Sequence, residues 1–212
     1  MTAAVLSIVV SSLFAAVMAR RWHLRRRPYQ AAWAIGLAMF ALANVAGALA
    51  RAGGATADEY RVFYLFGAIT NVAWLALGTI YLLAPPRVAR FAPWAVIALT
   101  VAGALAVFAS PVDLTKAVDT GRGFETSPLP RILAGIGSGI GSLILIGGAL
   151  WSAWVFLRRG HQGRRALANV LIAAGVSVAA AGGTAAFTGA SGILEWSNLV
   201  GLALILIGFL LT

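Results

Sequence analysis

The chain has no cysteine, a single lysine, and no charged residue inside any of its seven long apolar runs. The missing cysteine excludes disulfides, iron–sulfur clusters, thiolate zinc and cysteine nucleophiles. The lone lysine, Lys116, stands in a connection, so no span can hold an aldehyde chromophore as a Schiff base. Intramembrane Asp, Glu, Lys, Arg and His mark proton relays and ion paths, and a pump working through buried carboxylates is excluded with them. Nothing in the spans ionises below about pH 10. No nucleophile–base pair, carboxylate pair or metal set lies in the membrane or at its edges, so the expectation is a non-enzyme without a cofactor. Proline is missing from the span interiors. Pro28, Pro85, Pro86 and Pro93 flank the turns on one side, and Pro111, Pro128 and Pro130 frame a loop on the other. No proline kink is therefore expected.

What is present is apolar. Of 212 residues, 61% are hydrophobic and 10% charged, and the mean hydropathy is +0.91. A soluble domain of this size cannot hide that much apolar surface, so the bilayer is the solvent. The spans read as Ala3–Ala19, Ala31–Ala50, Val62–Ala84, Trp94–Ser110, Ile132–Leu157, Leu167–Phe187 and Trp196–Thr212. About 20 residues cross the hydrocarbon core, so the first, fourth and seventh run near upright and the fifth tilts or projects. The fold class is an all-α seven-helix membrane bundle, one domain over 1–212.

The charges segregate. Arg20, Arg21, Arg25, Arg26, Arg27, Arg87, Arg90, Arg158, Arg159, Arg164 and Arg165 lie in alternate connections. All six acids, Asp58, Glu59, Asp113, Asp119, Glu125 and Glu195, lie in the others, beside only Arg51, Arg61, Lys116, Arg122 and Arg131. The positive-inside rule puts the N-terminus outside and the C-terminus inside, in a bacterial-type inner membrane. The net charge of +10 is then a basic cytoplasmic rim facing anionic lipid, at roughly 1 kcal/mol per Lys or Arg, and not a nucleic-acid footprint. The arginines follow the first apolar run instead of preceding it, which is the wrong order for a cleavable signal peptide. The seventh span stops at Thr212 without a linker, and a self-contained protein is expected. Trp22, Trp33, Trp94 and Trp154 fall near the cytoplasmic interface and Trp196 near the outer one. Trp74, in mid-span, should pack between helices.

A repeat is visible. Arg20-Arg21-Trp22-His23-Leu24-Arg25-Arg26 resembles Arg158-Arg159-Gly160-His161-Gln162-Gly163-Arg164-Arg165. Leu13-Phe14-Ala15-Ala16 pairs with Leu150-Trp151-Ser152-Ala153, and Gly54-Ala55-Thr56 and Glu59-Tyr60 pair with Gly189-Ala190-Ser191 and Glu195-Trp196. Repeat one is then 1–84 and repeat two 132–212, with an inverting helix at 94–110 between parallel copies. His23 and His161 stand at matching positions among arginines, which repel a metal cation, so they read as interfacial residues.

Uncharged polar residues inside the spans are the candidates for lining a site or bonding helices together: Asn44, Asn71, Thr79, Tyr81, Ser138, Ser142, Thr184 and Asn198, with Thr70 and Ser177 beside them. An asparagine in lipid must find partners, so Asn44 and Asn71 should face inward. The fifth span carries two GxxxG pairs, Gly135/Gly139 and Gly137/Gly141. It follows no strand and lacks the Lys-Ser/Thr of a phosphate loop. Small residues at this spacing let helices approach closely, within the chain or against a protein partner or second copy, and Gly182 and Gly183 extend that surface. In the connection Pro111–Arg131, Val112, Leu114 and Asp119-Thr120-Gly121-Arg122-Gly123 suit a short hairpin that could lid the bundle, with a solvated, mobile loop as the alternative.

The seven-helix, N-outside layout is similar to that of the rhodopsins, without their retinal lysine. The 3+1+3 parallel layout is similar to that of the SWEET sugar transporters, in topology alone. Their prolines in the repeat helices are missing. Their asparagine pair has no equivalent, since Asn71 lies twelve residues after Glu59 and Asn198 three after Glu195. Two functions remain. The first is a binding or interaction module, an accessory subunit or sensor of a membrane complex. The second is a facilitative transporter of a neutral or amphipathic small molecule or lipid. They separate by mutation: Asn71→Ala should abolish the flux of a carrier while leaving assembly intact, whereas Gly139→Leu should break the assembly of an interaction module.

Overall fold

The computed structural model describes residues 2–120, 122–158, 162–188 and 193–211. Hydrocarbon offers no partner to a backbone N–H or C=O, so each apolar run must satisfy itself as a helix. Among the described residues, seven helices are long and apolar enough to cross a membrane. They are α1 (Thr2–Arg25), α2 (Pro28–Gly53), α3 (Ala57–Leu83), α4 (Pro86–Ala109), α5 (Pro128–Arg158), α6 (Gly163–Phe187) and α7 (Ile193–Leu211). The architecture fits a helical membrane bundle.

The helices outrun the apolar spans at their polar ends, through different local devices. α1 ends at Arg26, whose backbone turns left-handed (φ 50°) while its N–H still reaches the Trp22 carbonyl at 2.7 Å. α3 opens on a capping box: Thr56 accepts from the Glu59 N–H, and Glu59 accepts from the Thr56 N–H. α4 starts at Pro86, not Trp94, because Pro86 occupies the first helical turn, where its missing N–H costs nothing. Pro93 therefore lies inside α4 and not at a turn. The lost bond falls at the Ala89 carbonyl, in the polar first turns before the apolar run.

Six helices close a ring: α1 packs on α2, α2 on α3, α3 on α5, α5 on α6, α6 on α7, and α7 on α1. α4 stands outside it, against α3 and the start of α5. Trp74 fastens it there, its indole N–H donating to the Thr100 hydroxyl at 3.2 Å.

The α3–α5 seam departs from α-geometry on both sides. Leu65–Thr70 and Gly135–Ile140 are π-helical turns, and they face each other. The Asn71 N–H reaches back to the Phe66 carbonyl, and the Thr70 hydroxyl donates to the Leu65 carbonyl at 3.0 Å. The Ser138 hydroxyl crosses the seam to the Ala68 carbonyl. A Cβ at Gly137 would fall on the Ile69 carbonyl oxygen, and one at Gly141 would meet Val72. The α6–α7 contact is equally close: Gly175 opposes Gly201, Gly182 meets Ser197, and Gly208 meets the Ala168 carbonyl.

The long connection does not form the expected hairpin. Asp113 accepts from the N–H and hydroxyl of Thr115 at 3.1 and 2.6 Å and starts a short helix, Leu114–Thr120. The chain then turns inward. Gly123 N–H donates to the Tyr60 hydroxyl at 3.0 Å, and the Phe124 ring packs edge-on against Tyr64. Ala117 and Phe124 join Tyr60, Tyr64, Leu65, Ile69, Val107 and Ala134 in one core cluster. Apolar burial of Phe124 outweighs the turn preference of the glycines around it. Gly121 and the side chains of Asp119 and Thr120 lie outside the described residues, as do Arg159, Gly160 and His161 of the second arginine turn and Gly189, Ala190 and Ser191 of the last connection.

Two glycine variants should part in opposite directions. Gly137→Leu forces α3 and α5 apart and should cost about 1–3 kcal/mol or more. Gly139→Ala meets nothing within 4 Å and should be neutral or stabilising by up to about 1 kcal/mol. Thermal unfolding of the detergent-solubilised protein measures both.

Candidate functional site

The ring surrounds a partly open cavity of about 1150 Å³. Small-molecule sites run to about 300–1,000 Å³, so this one is large. All six ring helices line it and α4 contributes nothing. On α3 the lining runs from Phe63 to Leu83, and on α5 from Pro128 to Ser152. At 1.5 Å per residue these are about 30 and 36 Å, enough to cross the roughly 30 Å of a bilayer's hydrocarbon core. Most of the wall is apolar, with Phe14, Leu37, Phe40, Leu202 and Ile205 among its larger side chains.

Seven of the eight polar candidates lie on this wall: Asn44, Asn71, Thr79, Ser138, Ser142, Thr184 and Asn198. Some are spent locally. Asn44 and Thr184 donate to the carbonyls one turn back, Phe40 at 2.8 Å and Ala180 at 3.0 Å, and Ser138 is held across the seam. Others keep capacity. Asn71 is buried, and its carbonyl oxygen accepts from the Val72 N–H at 2.7 Å, which leaves its amide nitrogen without an acceptor among the described residues. Thr79, Ser142 and Asn198 make no side-chain hydrogen bond among the described residues. Tyr81 is the exception. It packs outside the ring with Trp74, Ala92 and Leu99 against Ala32, Ala73, Leu77 and Val96.

The four glycines of the fifth span divide. Gly137 and Gly141 close the α3 seam, while Gly135 and Gly139 line the cavity with open space where a side chain would stand. Of the small residues on the other walls, the sequence singles out Gly183 but not Ala43, Gly67, Ala68, Ala179 and Ala180. Their helical spacing on one face of each span was the available signal. Trp33 also contributes, its indole N–H donating to the Leu75 carbonyl at 3.0 Å, so this tryptophan braces the wall.

Among the described residues, charge gathers only at the two ends. At the arginine-rich end Arg158 lies 4.0 Å over the Trp154 ring and Arg21 4.6 Å over Phe209. At the other end Arg51 of α2 pairs with Glu195 of α7 at 2.7 Å, although α1 stands between their helices in the ring. Lys116 pairs with Glu125 at 2.8 Å and lies 3.9 Å from Asp113. No protein-family model, curated protein or solved structure matches this chain.

The connection over this end should be pH-sensitive. The Lys116 hydrogen bond and charge hold Glu125 below the usual carboxylate range, and the Thr115 hydroxyl does the same for Asp113. The bond with Glu125 in turn raises Lys116. Folding lowers both acids, so their contribution is complete above the unfolded value near ~4 and is lost as pH falls through the folded values. The lysine's contribution is complete below ~10.4 and is lost as pH rises through its folded value. Hydrogen exchange of residues 113–125 should therefore show full protection from about pH 5 to 9 and loss of protection below about pH 4. Lys116→Met should weaken protection at neutral pH and flatten the acid limb.

Proposed function

We propose that this chain is a facilitative carrier, without enzymatic activity, that takes a chiefly apolar, neutral or amphipathic molecule into the cavity and passes it across the membrane. The cavity carries the reading. It is bounded by the six helices of the two suggested repeats, spans the depth of a hydrocarbon core, and offers uncharged polar groups with unused hydrogen-bonding capacity. The cyclic order of the ring supports a parallel repeat. Exchanging α1–α2–α3 for α5–α6–α7 leaves that order unchanged and maps the α3–α5 contact onto α7–α1. In carriers built from such repeats, access alternates by rocking of one half against the other, and those two contacts are where rocking would occur. The arginine turns support an N-outside orientation in a bacterial-type inner membrane, with anionic lipid at the inner rim.

An accessory or sensory role comes second. Its supports are the glycine faces, the missing intramembrane charges and the lack of proline breaks; of those glycines, Gly137 and Gly141 meet α3 of the same chain. A sensor using the same cavity without transport remains its best form.

Native mass spectrometry of the protein extracted gently from its membrane is the test. A co-purified small molecule or lipid is expected, and Gly139→Leu, which fills open space, should reduce its occupancy about tenfold or more without loss of fold. Asn71→Ala should lower both occupancy and flux. A stoichiometric protein partner with an empty cavity would sink the carrier reading in favour of the accessory subunit.

A further inference from the structure

The wall of the cavity carries one charged side chain, Arg131, at the end of α5 beneath the long connection. Arg131 is exposed, and its nearest polar partner is the Glu125 carbonyl oxygen, 3.5 Å from Nη1, at the limit of a hydrogen bond. The acids at that end are committed elsewhere. Asp58 pairs with Arg61 at 3.0 Å, Glu59 closes the α3 capping box, and Asp113 caps the short helix. Glu125 belongs to Lys116 and Glu195 to Arg51. Among the acidic side chains described, none forms a hydrogen bond or ion pair with Arg131; its charge acts on Glu125 only from a distance. Below it the α5 wall is open and apolar through Ile132, Gly135, Gly139 and Ile146, with Ser142 between.

A guanidinium with no hydrogen-bonded carboxylate among the described residues, placed over an apolar shaft as long as a hydrocarbon core, is complementary to a particular shape of molecule. We propose that the cavity takes a long-chain anionic amphipath, its carboxylate or phosphate on Arg131 and its hydrocarbon tail along the ring between α3 and α5. This rests on the carrier reading and names its substrate class. The planar fork of arginine binds either head group with two parallel hydrogen bonds. Desolvating the charge at the mouth needs an anion there, while the tail gains burial on a wall that offers few polar groups. The Asn71 amide nitrogen, about halfway down, can meet a polar group or an unsaturation in the tail. A free single-chain acid and a membrane phospholipid share this chemistry.

The test uses the full chain in nanodiscs of zwitterionic phosphatidylcholine. Binding of radiolabelled palmitate, of hexadecanol as its uncharged counterpart, and of phosphatidylglycerol doped into the disc is measured for the wild type, Arg131→Gln, Arg131→Lys and Gly139→Leu, with thermal unfolding confirming that each variant is folded. Saturable binding of an anionic ligand is expected. Arg131→Gln should weaken it at least about tenfold, the scale of a lost charge-assisted bond, and Arg131→Lys should retain most of it. Hexadecanol binding should be untouched by either change, and Gly139→Leu should weaken both ligands. Palmitate favoured over phosphatidylglycerol points to a free acid, and the reverse to a membrane phospholipid; either supports the proposal. Equal binding of palmitate and hexadecanol, insensitive to Arg131→Gln but lost in Gly139→Leu, would overturn the anionic head while leaving the carrier intact. No binding of any probe, together with an empty cavity in the extracted protein, would overturn both.

Discussion

The ring depends on one close approach of backbones. Gly137 lets the Ile69 carbonyl come so near α5 that no other residue fits between them, and Gly141 repeats the approach at Val72. Lipid gives helices no hydrophobic reason to associate, so packing at this range and a few interhelical hydrogen bonds must hold the seam. The same seam frees backbone carbonyls through its two π turns, and hydroxyls take them up: Thr70 within its own helix, Ser138 from across the contact. Without this seam the first three helices and the last three would meet only at α7–α1, and the space between them would not be enclosed.

The cavity follows from that enclosure. Six helices in a circle leave a centre too wide for their side chains to fill when the inward residues are small, as Gly135, Gly139, Ala179, Ala180 and Gly183 are. α4 stays outside because its contacts are with the flank of α3, where Trp74 and Tyr81 already lie. Asn71 and Ser142 sit on this wall with bonding capacity unspent, and they can meet a polar group of whatever occupies it.

The spans and the charge asymmetry were legible because each is a property of a continuous stretch. The order of the ring was not, because a helix in lipid has apolar residues all round and no moment to say which side faces in. Asn44, Asn71 and Asn198 were found because polarity stands out against that background. Tyr81 stands out with them, but it lies two residues past Thr79, about 200° round the helix, and takes the interhelical role instead of the lining one. Arg131 was counted with the loop charges and became distinctive only when the other acids had been assigned. The packed connection escaped a local reading because Phe124 is held by Tyr60 and Tyr64, some sixty positions earlier. Pro93 was assigned to a turn because a proline is usually read as a boundary, but Pro86 had already opened the helix.

The π turns also set a phase. Each adds about one residue to a turn, so everything beyond it is rotated by roughly 100° relative to an uninterrupted α-helix. Asn71 and Thr79 on α3, and Ser142, Ile146 and Ala149 on α5, owe their place on the wall to that added rotation. Hydropathy and composition are blind to it. The wall is consequently written in residue count as much as in residue type, and a one-residue deletion within Leu65–Thr70 would keep every polar side chain in the membrane while turning those beyond it away from the cavity.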